Sequence, residues 1–190
     1  MRKNIVKILN NADEQTKQSG INWYSDAKFK CSTIATTYGV STELVASVVS
    51  ALSPRNRWSR NIVDADNVVS HVFQRTPLRP CATYGANVRK AIKLCNESLS
   101  NDQRLKLLNG EKIKSFFLNI IGDDSRVTVD SWIMLAYSGK YKETKKRKAL
   151  TLTLYRKIEK DIKSVAKETG IKPYELQAIV WLQFQKDLTV

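Results

Sequence analysis

The chain has 190 residues, of which 42% are hydrophobic and 26% charged, as in an ordinary globular protein with a sizeable apolar core. Thirty-two Lys and Arg against 18 Asp and Glu give a formal net charge of +14, which favours a polyanionic partner, nucleic acid ahead of a membrane surface. One histidine and three scattered cysteines argue against a zinc site, an iron–sulfur cluster and a disulfide framework, so we expect free thiols, no metal and no other cofactor.

Targeting and nucleotide-binding signals are also missing. Neither a G-x-x-x-x-G-K-[ST] nor a G-x-G-x-x-G loop occurs. The N-terminal "MRKNIVKILNNADEQ" lacks the continuous apolar run of a signal peptide, and no later stretch has the length of a membrane span. These patterns predict a protein of the cytoplasm, with no membrane partner.

Apolar residues recur at helical spacing along most of the chain. Such stripes occupy residues 45–52, 62–73, 88–95, 113–121 and 154–165, separated by glycine and proline breaks. In "PYELQAIVWLQF" the apolar residues alternate, which would also fit a strand, but Pro173 at a first-turn position favours a helix. The sequence therefore predicts an all-α fold of roughly eight short helices. The basic run at 140–148, including Lys140, is predicted to be a loop or a helix start.

One carboxylate stands out in "SRVTVDSWIMLAY", residues 125–137. Asp130 follows two valines and precedes an apolar run. Its side chain can cap a helix that begins at Ser131. The alternative is a catalytic role in a dry pocket, where low dielectric strengthens the effect of a charge.

Two further stretches carry residues suited to DNA binding. The helix "GEKIKSFFLNIIGDD" follows Asn109 and Gly110, and its first-turn N–H groups, with Lys112 and Lys114, suit a phosphate.

The second stretch suited to DNA binding is "ALSPRNRWSRNIVDADNVV". In it an apolar helix ends before Pro54, and the residues that follow are Arg55, Asn56, Arg57 and Trp58. Arg and Asn can reach bases or phosphates, and Trp can stack on a splayed base. The alternative is a polar loop with Trp58 in the core. Trp23, Trp181 and His71 are expected to be structural.

The order of these pieces resembles the helix-hairpin-helix DNA glycosylase superfamily, the endonuclease III-like proteins. "LSPRN" is similar to its leucine-serine turn, "NVRKAIKLCNE" to its next helix, "LLNGEK" to its hairpin and "VTVDSW" to the segment with its aspartate. The resemblance is strongest over residues 40–137. The iron–sulfur cysteines, the hairpin proline and one hairpin glycine of the family are absent, and Trp132 replaces a histidine. With the short length, these departures indicate a divergent, cluster-free member, of phage type or otherwise specialised.

The resemblance implies one unit over residues 1–190, with two helical lobes and the active site between them. It implies a monomeric glycosylase that flips a damaged or modified base out of double-stranded DNA, in the nucleoid or in the host cytoplasm if the source is viral. Asp130 would stabilise the cationic sugar or activate the nucleophile, and Lys112 would add Schiff-base lyase activity or bind a phosphate, with Lys114 as its substitute. Contacts to DNA would come from Arg55, Asn56, Arg57, Trp58, Asn109, Gly110, Lys114 and Lys140.

Two other functions stay open at this point. One is a glycosylase fold that processes hypermodified bases in viral DNA with a co-substrate. The other is a DNA-binding protein without enzymatic activity.

Overall fold

In the computed structural model, which describes residues 1–139 and 150–189, every regular element is a helix, and this confirms the all-α prediction. Within these residues there are ten helices, against roughly eight predicted. They are α1 (Arg2–Asn11), α2 (Glu14–Tyr38), α3 (Thr42–Leu52), α4 (Trp58–Gln74), α5 (Gly85–Leu94), α6 (Asn101–Leu107), α7 (Glu111–Ile121), α8 (Ser131–Ser138), α9 (Leu152–Thr169) and α10 (Pro173–Thr189).

The chain divides into two units. Unit 1 consists of Met1–Tyr24 and Gly122–Val190, and unit 2 consists of Ser25–Ile121. Helix α2 contributes residues to both units.

Unit 1 is built on contacts among α1, α8, α9 and α10. Its core consists of fully buried aliphatic and aromatic side chains, among them Ile5, Ile133, Ile158, Ile179 and Phe184. Helix α1, which was not predicted, buries Ile5, Ile8 and Leu9 at spacings of three and four residues. Helix α10 begins at Pro173, which confirms the helical interpretation of "PYELQAIVWLQF".

Unit 2 is organised around α3, which packs against α4, α5 and α7 and is buried from Leu44 to Leu52. Ser41 begins this helix by accepting a hydrogen bond from the Leu44 amide at 3.2 Å. Several polar side chains are also buried in this unit. On α7, for example, Ser115 and Asn119 are each only 1% exposed.

The buried face of α4 differs from the predicted stripe. Phe73 is exposed, whereas Asn61, Asp64 and Asn67 are buried beside Ala65 and Val69. Hydrophobic spacing alone cannot find such polar residues, because their burial depends on hydrogen bonds to other parts of the chain. Asn61 donates to the Val49 carbonyl in α3, and Asp64 and Asn67 bond the loops on either side of α4.

None of the helices in residues 1–139 and 150–189 combines the length and the apolar character that spanning a bilayer requires.

The three cysteines of the chain are free thiols, as predicted. Burial raises the pKa of the Cys31 and Cys95 thiols to about 12. Half-buried Cys81 has a raised pKa as well, through burial and the nearby charge of Asp64.

We therefore expect thiol reagents at pH 8 to label Cys81 first in the folded protein. A thiol whose pKa lies about four units above the pH is ionised in only about one molecule in ten thousand, so Cys31 and Cys95 should react far more slowly. Raising the pH should speed their labelling, because the raised pKa moves thiolate formation to higher pH. Peptide mass spectrometry after timed alkylation measures this order, with urea-unfolded protein as the control in which all three react. Labelling of Cys31 as fast as Cys81 before unfolding would contradict it.

Candidate active site

Residues 127–129, which lead to Asp130, are held by helix α9. The Tyr155 hydroxyl accepts a hydrogen bond from the Val129 amide at 3.2 Å and donates one to the Val127 carbonyl at 2.8 Å. The buried Glu159 accepts a hydrogen bond from the Val127 amide at 3.0 Å and is paired with Arg156 at 2.7 Å. Three backbone groups of this segment, the Val127 amide and carbonyl and the Val129 amide, are thereby satisfied by side chains.

Asp130 is the N-cap of α8, as the sequence predicted. Its Oδ1 accepts a hydrogen bond from the Ile133 amide at 2.8 Å. Its Oδ2 accepts a second one from the indole Nε1–H of Trp181, on α10, at 3.2 Å. The carboxylate is half-buried, and both of its oxygens are held by donors on separate helices. Such a group has a defined position and orientation.

Trp181, which bonds this carboxylate, belongs to a group of four aromatic rings in mutual contact. Trp23 lies edge-to-face against Trp181, with centroids 6.1 Å apart, and against Tyr24, at 4.7 Å. Tyr24 in turn lies edge-to-face against Tyr174 at 5.3 Å. We call Trp23, Tyr24, Tyr174 and Trp181 the aromatic cluster. The two tryptophans and Tyr174 are half-buried.

Tyr24 is the buried member of this cluster, with 3% of its surface exposed. Its hydroxyl donates a hydrogen bond to Oε1 of Gln177 at 2.8 Å. Burial raises the pKa of Tyr24 well above its usual range, and the charge of Asp130 raises it further. The phenol therefore stays neutral beside the carboxylate at all pH values of interest.

Because Tyr155 satisfies two buried backbone groups, we expect Tyr155→Phe to lower the free energy of unfolding by about 2 kcal/mol or more. Urea unfolding followed by circular dichroism measures the change. Tyr84→Phe is the matched control, since Tyr84 is 53% exposed, and it should change stability by less than about 0.5 kcal/mol. Equal stability of the Tyr155→Phe protein and the original would show that the hydroxyl does not hold this segment.

The predicted hairpin lies in unit 2, where α6 and α7 are joined by Leu108, Asn109 and Gly110. Leu108 is fully buried, whereas Asn109 and Gly110 are exposed, and Gly110 has a φ of +84° that suits glycine. Lys112 and Lys114 follow in the first turns of α7 and are half-buried. The loop and both lysines are therefore together at one end of α7.

The predicted DNA-contact residues after Pro54 have different environments. Arg55 and Arg57 are exposed. Asn56 donates its side-chain amide to Asp64 at 2.9 Å, and the half-buried Trp58 lies edge-to-face against Phe116, with centroids 6.2 Å apart. Asn56 and Trp58 thus have packing roles within unit 2. Lys140 lies outside the described residues.

Asp64 was not singled out by sequence, although it organises this region. It is 1% exposed, and its oxygens accept hydrogen bonds from Asn56, from Nε of Arg60 at 2.7 Å and from the Ala82 amide at 2.8 Å. Trp181 was also missed as a partner of Asp130, because nothing in the sequence relates positions 51 residues apart. His71 contacts the Thr76 carbonyl at 2.7 Å, a local structural role as expected.

Within the described ranges, no group of three or more His, Cys, Asp and Glu side chains is placed to hold a metal ion.

The chain belongs to a family of unknown function (DUF7178), whose model matches residues 1–187. Among curated proteins and solved structures, none matches the chain.

Proposed function

We propose that the protein is a DNA N-glycosylase, in which Asp130 acts on a nucleotide flipped out of the helix. The observation that carries the proposal is the carboxylate itself: it is held by the Ile133 amide and the Trp181 indole, and it adjoins the aromatic cluster. A flipped base needs flat apolar surfaces to replace its stacking, and bond cleavage needs a fixed negative charge near the sugar.

The reaction breaks the bond between C1′ and the base nitrogen. Positive charge develops on the deoxyribose as that bond lengthens, and the Asp130 carboxylate stabilises it. Water then adds to C1′ and gives its proton to the carboxylate, while the base leaves with the bonding electron pair and takes up a proton. The products are a free base and an abasic site.

Lys112 has one of two roles in this proposal. If its amine replaces water as the nucleophile, a Schiff base forms and the strand is cleaved, and borohydride traps the covalent complex. If it only contacts a phosphate, borohydride traps nothing and Lys112→Ala weakens binding. Lys114 is the alternative lysine for either role. Arg55 and Arg57 are the exposed cations proposed to contact DNA.

The net charge of +14 supports DNA as the partner. Both units contribute to it: unit 2 carries 14 Lys and Arg against 7 Asp and Glu, and unit 1 makes up the rest of the excess. A phosphate backbone is bound through such cations with strong dependence on salt.

The test is a panel of duplexes that contain uracil, oxidised, alkylated or virus-type hypermodified bases. Mass spectrometry identifies any free base, with Asp130→Asn as the control. Release by the original protein and not by the variant supports the proposal and names the base. A requirement for an added small molecule would indicate processing of hypermodified bases instead.

A second function is favoured by a specific observation, namely that both oxygens of Asp130 already accept protein hydrogen bonds. A carboxylate so engaged also suits a purely structural role in a DNA-binding protein without enzymatic activity. In that case no duplex releases a base, and Asp130→Asn binds DNA as tightly and with the same salt dependence as the original.

A further inference from the structure

An exposed tyrosine and an arginine are stacked on the surface of unit 2. The guanidinium of Arg55 lies over the ring of Tyr84, 5.5 Å from its centroid. Tyr84 remains 53% exposed, and Arg55 is exposed as well. The pair therefore presents an aromatic ring and a cation side by side at the surface.

The backbone at Arg55 is held in an uncommon conformation. Its φ of 57° lies in the left-handed region, which non-glycine residues rarely adopt. Hydrogen bonds on either side stabilise it: the Asn56 amide donates to the Ser53 carbonyl at 3.3 Å, and the Thr83 hydroxyl donates to the Pro54 carbonyl at 2.9 Å. The second bond joins the two loops that carry Arg55 and Tyr84.

The buried carboxylate of Asp64 holds the same two loops together. Oδ2 accepts from Asn56 in the first loop and from the Ala82 amide in the second. Arg60 binds Oδ1 of Asp64 and donates to the Pro80 carbonyl at 2.8 Å. A buried charge with this many donors makes the pair of loops rigid, so the arrangement of Arg55 and Tyr84 is organised before any ligand arrives.

From these contacts we infer that Arg55 and Tyr84 form a platform on which an unpaired DNA base stacks. Base stacking on an aromatic side chain needs an open ring, and an adjacent guanidinium adds a cation for the phosphate. Arg57, the N-cap of α4 and two residues from Arg55, and Arg89, on α5 and five residues from Tyr84, are exposed and supply further positive charge for the phosphate backbone. In a duplex both faces of each base are covered by neighbours, so the platform favours a single strand.

The inference rests on the proposed function only in taking DNA as the ligand. It concerns a binding surface within unit 2, built without Asp130, and it does not require base release. A protein partner for the same surface would be bound without any dependence on unpaired bases, and the experiment below separates the two.

The experiment measures fluorescence anisotropy of a labelled oligothymidine of about 15 nucleotides and of a duplex of equal length. The full-length protein is compared with Tyr84→Ala and with Tyr84→Phe, which keeps the ring. Tyr84→Ala should weaken binding of the single strand about tenfold and binding of the duplex much less, while Tyr84→Phe should bind as the original does. Melting curves test whether the variants are folded. We expect them to be, because Tyr84 is exposed.

Unchanged single-strand affinity in Tyr84→Ala, or an equal loss for both DNAs, would overturn the inference. The same holds if the original protein does not bind the single strand. If base release is found and the Tyr84 dependence is not, the platform alone is wrong. If the Tyr84 dependence is found and no base is released, the platform stands and the glycosylase proposal fails.

Discussion

Asp130→Asn should lower the rate of base release from DNA by about a thousandfold. The amide is nearly isosteric with the carboxylate but carries no charge, so it can neither stabilise the cationic sugar nor accept a proton from water. Single-turnover assays with the substrate identified by the duplex panel measure the loss. A rate within about tenfold of the original would contradict a catalytic role for Asp130.

The same substitution also has a structural effect, which the geometry separates from the chemical one. Ile133 and Trp181 donate to different oxygens of Asp130, and asparagine retains only one. We therefore expect a loss of about 1 kcal/mol in the free energy of unfolding, too little to unfold a domain or to explain a thousandfold loss. Trp181→Phe is the matched control: it removes one donor and keeps the charge, and it should lower the rate by about tenfold at most.

Gly20→Ala should destabilise the protein by about 3 kcal/mol or more, although alanine in a helix usually gains stability over glycine. A Cβ at Gly20 would lie 2.4 Å from Cγ1 of Ile179 and 2.6 Å from its backbone nitrogen. The backbone of α10 cannot rotate away as a side chain can, so α2 and α10 would have to separate at this point. Urea unfolding gives the change in free energy.

Gly85→Ala is the control for this prediction. Gly85 is the first residue of α5, and a Cβ there would meet only the end of the flexible Arg89 side chain, at 3.5 Å. The free energy of unfolding of the Gly85→Ala protein should stay within about 1 kcal/mol of that of the original. An equally small change in the free energy of unfolding for Gly20→Ala would show that α2 and α10 do not lie this close at Gly20.

The helices were largely predictable from the sequence because their signals are local. Apolar spacing located α3, α5, α7 and α9, and Pro173 decided the case of α10, where the alternating pattern was ambiguous. The cap at Asp130 was predictable for the same reason, since an N-cap bonds an amide three residues away. Helix α1 has the same kind of local signal in Ile5, Ile8 and Leu9.

The surroundings of the site were not predictable, because they depend on distant residues. Trp181 donates a hydrogen bond to Asp130, 51 positions away in the sequence, and Tyr155 accepts one from Val129, 26 positions away. A tryptophan or tyrosine on a helix has the same local pattern whether it fills the core or binds a carboxylate. Asp64 was overlooked for a related reason: a charged residue beside apolar ones suggests the edge of a stripe, and only its three donors explain its burial.

The measurement that tests the glycosylase proposal most directly counts both products of one reaction. The original protein and Asp130→Asn are incubated with each duplex of the panel, and free base and abasic sites are quantified in the same sample. The proposal predicts one duplex for which both products appear in equal amounts with the original protein and neither appears with Asp130→Asn. Binding of the duplexes by both proteins with neither product formed from any of them would contradict it.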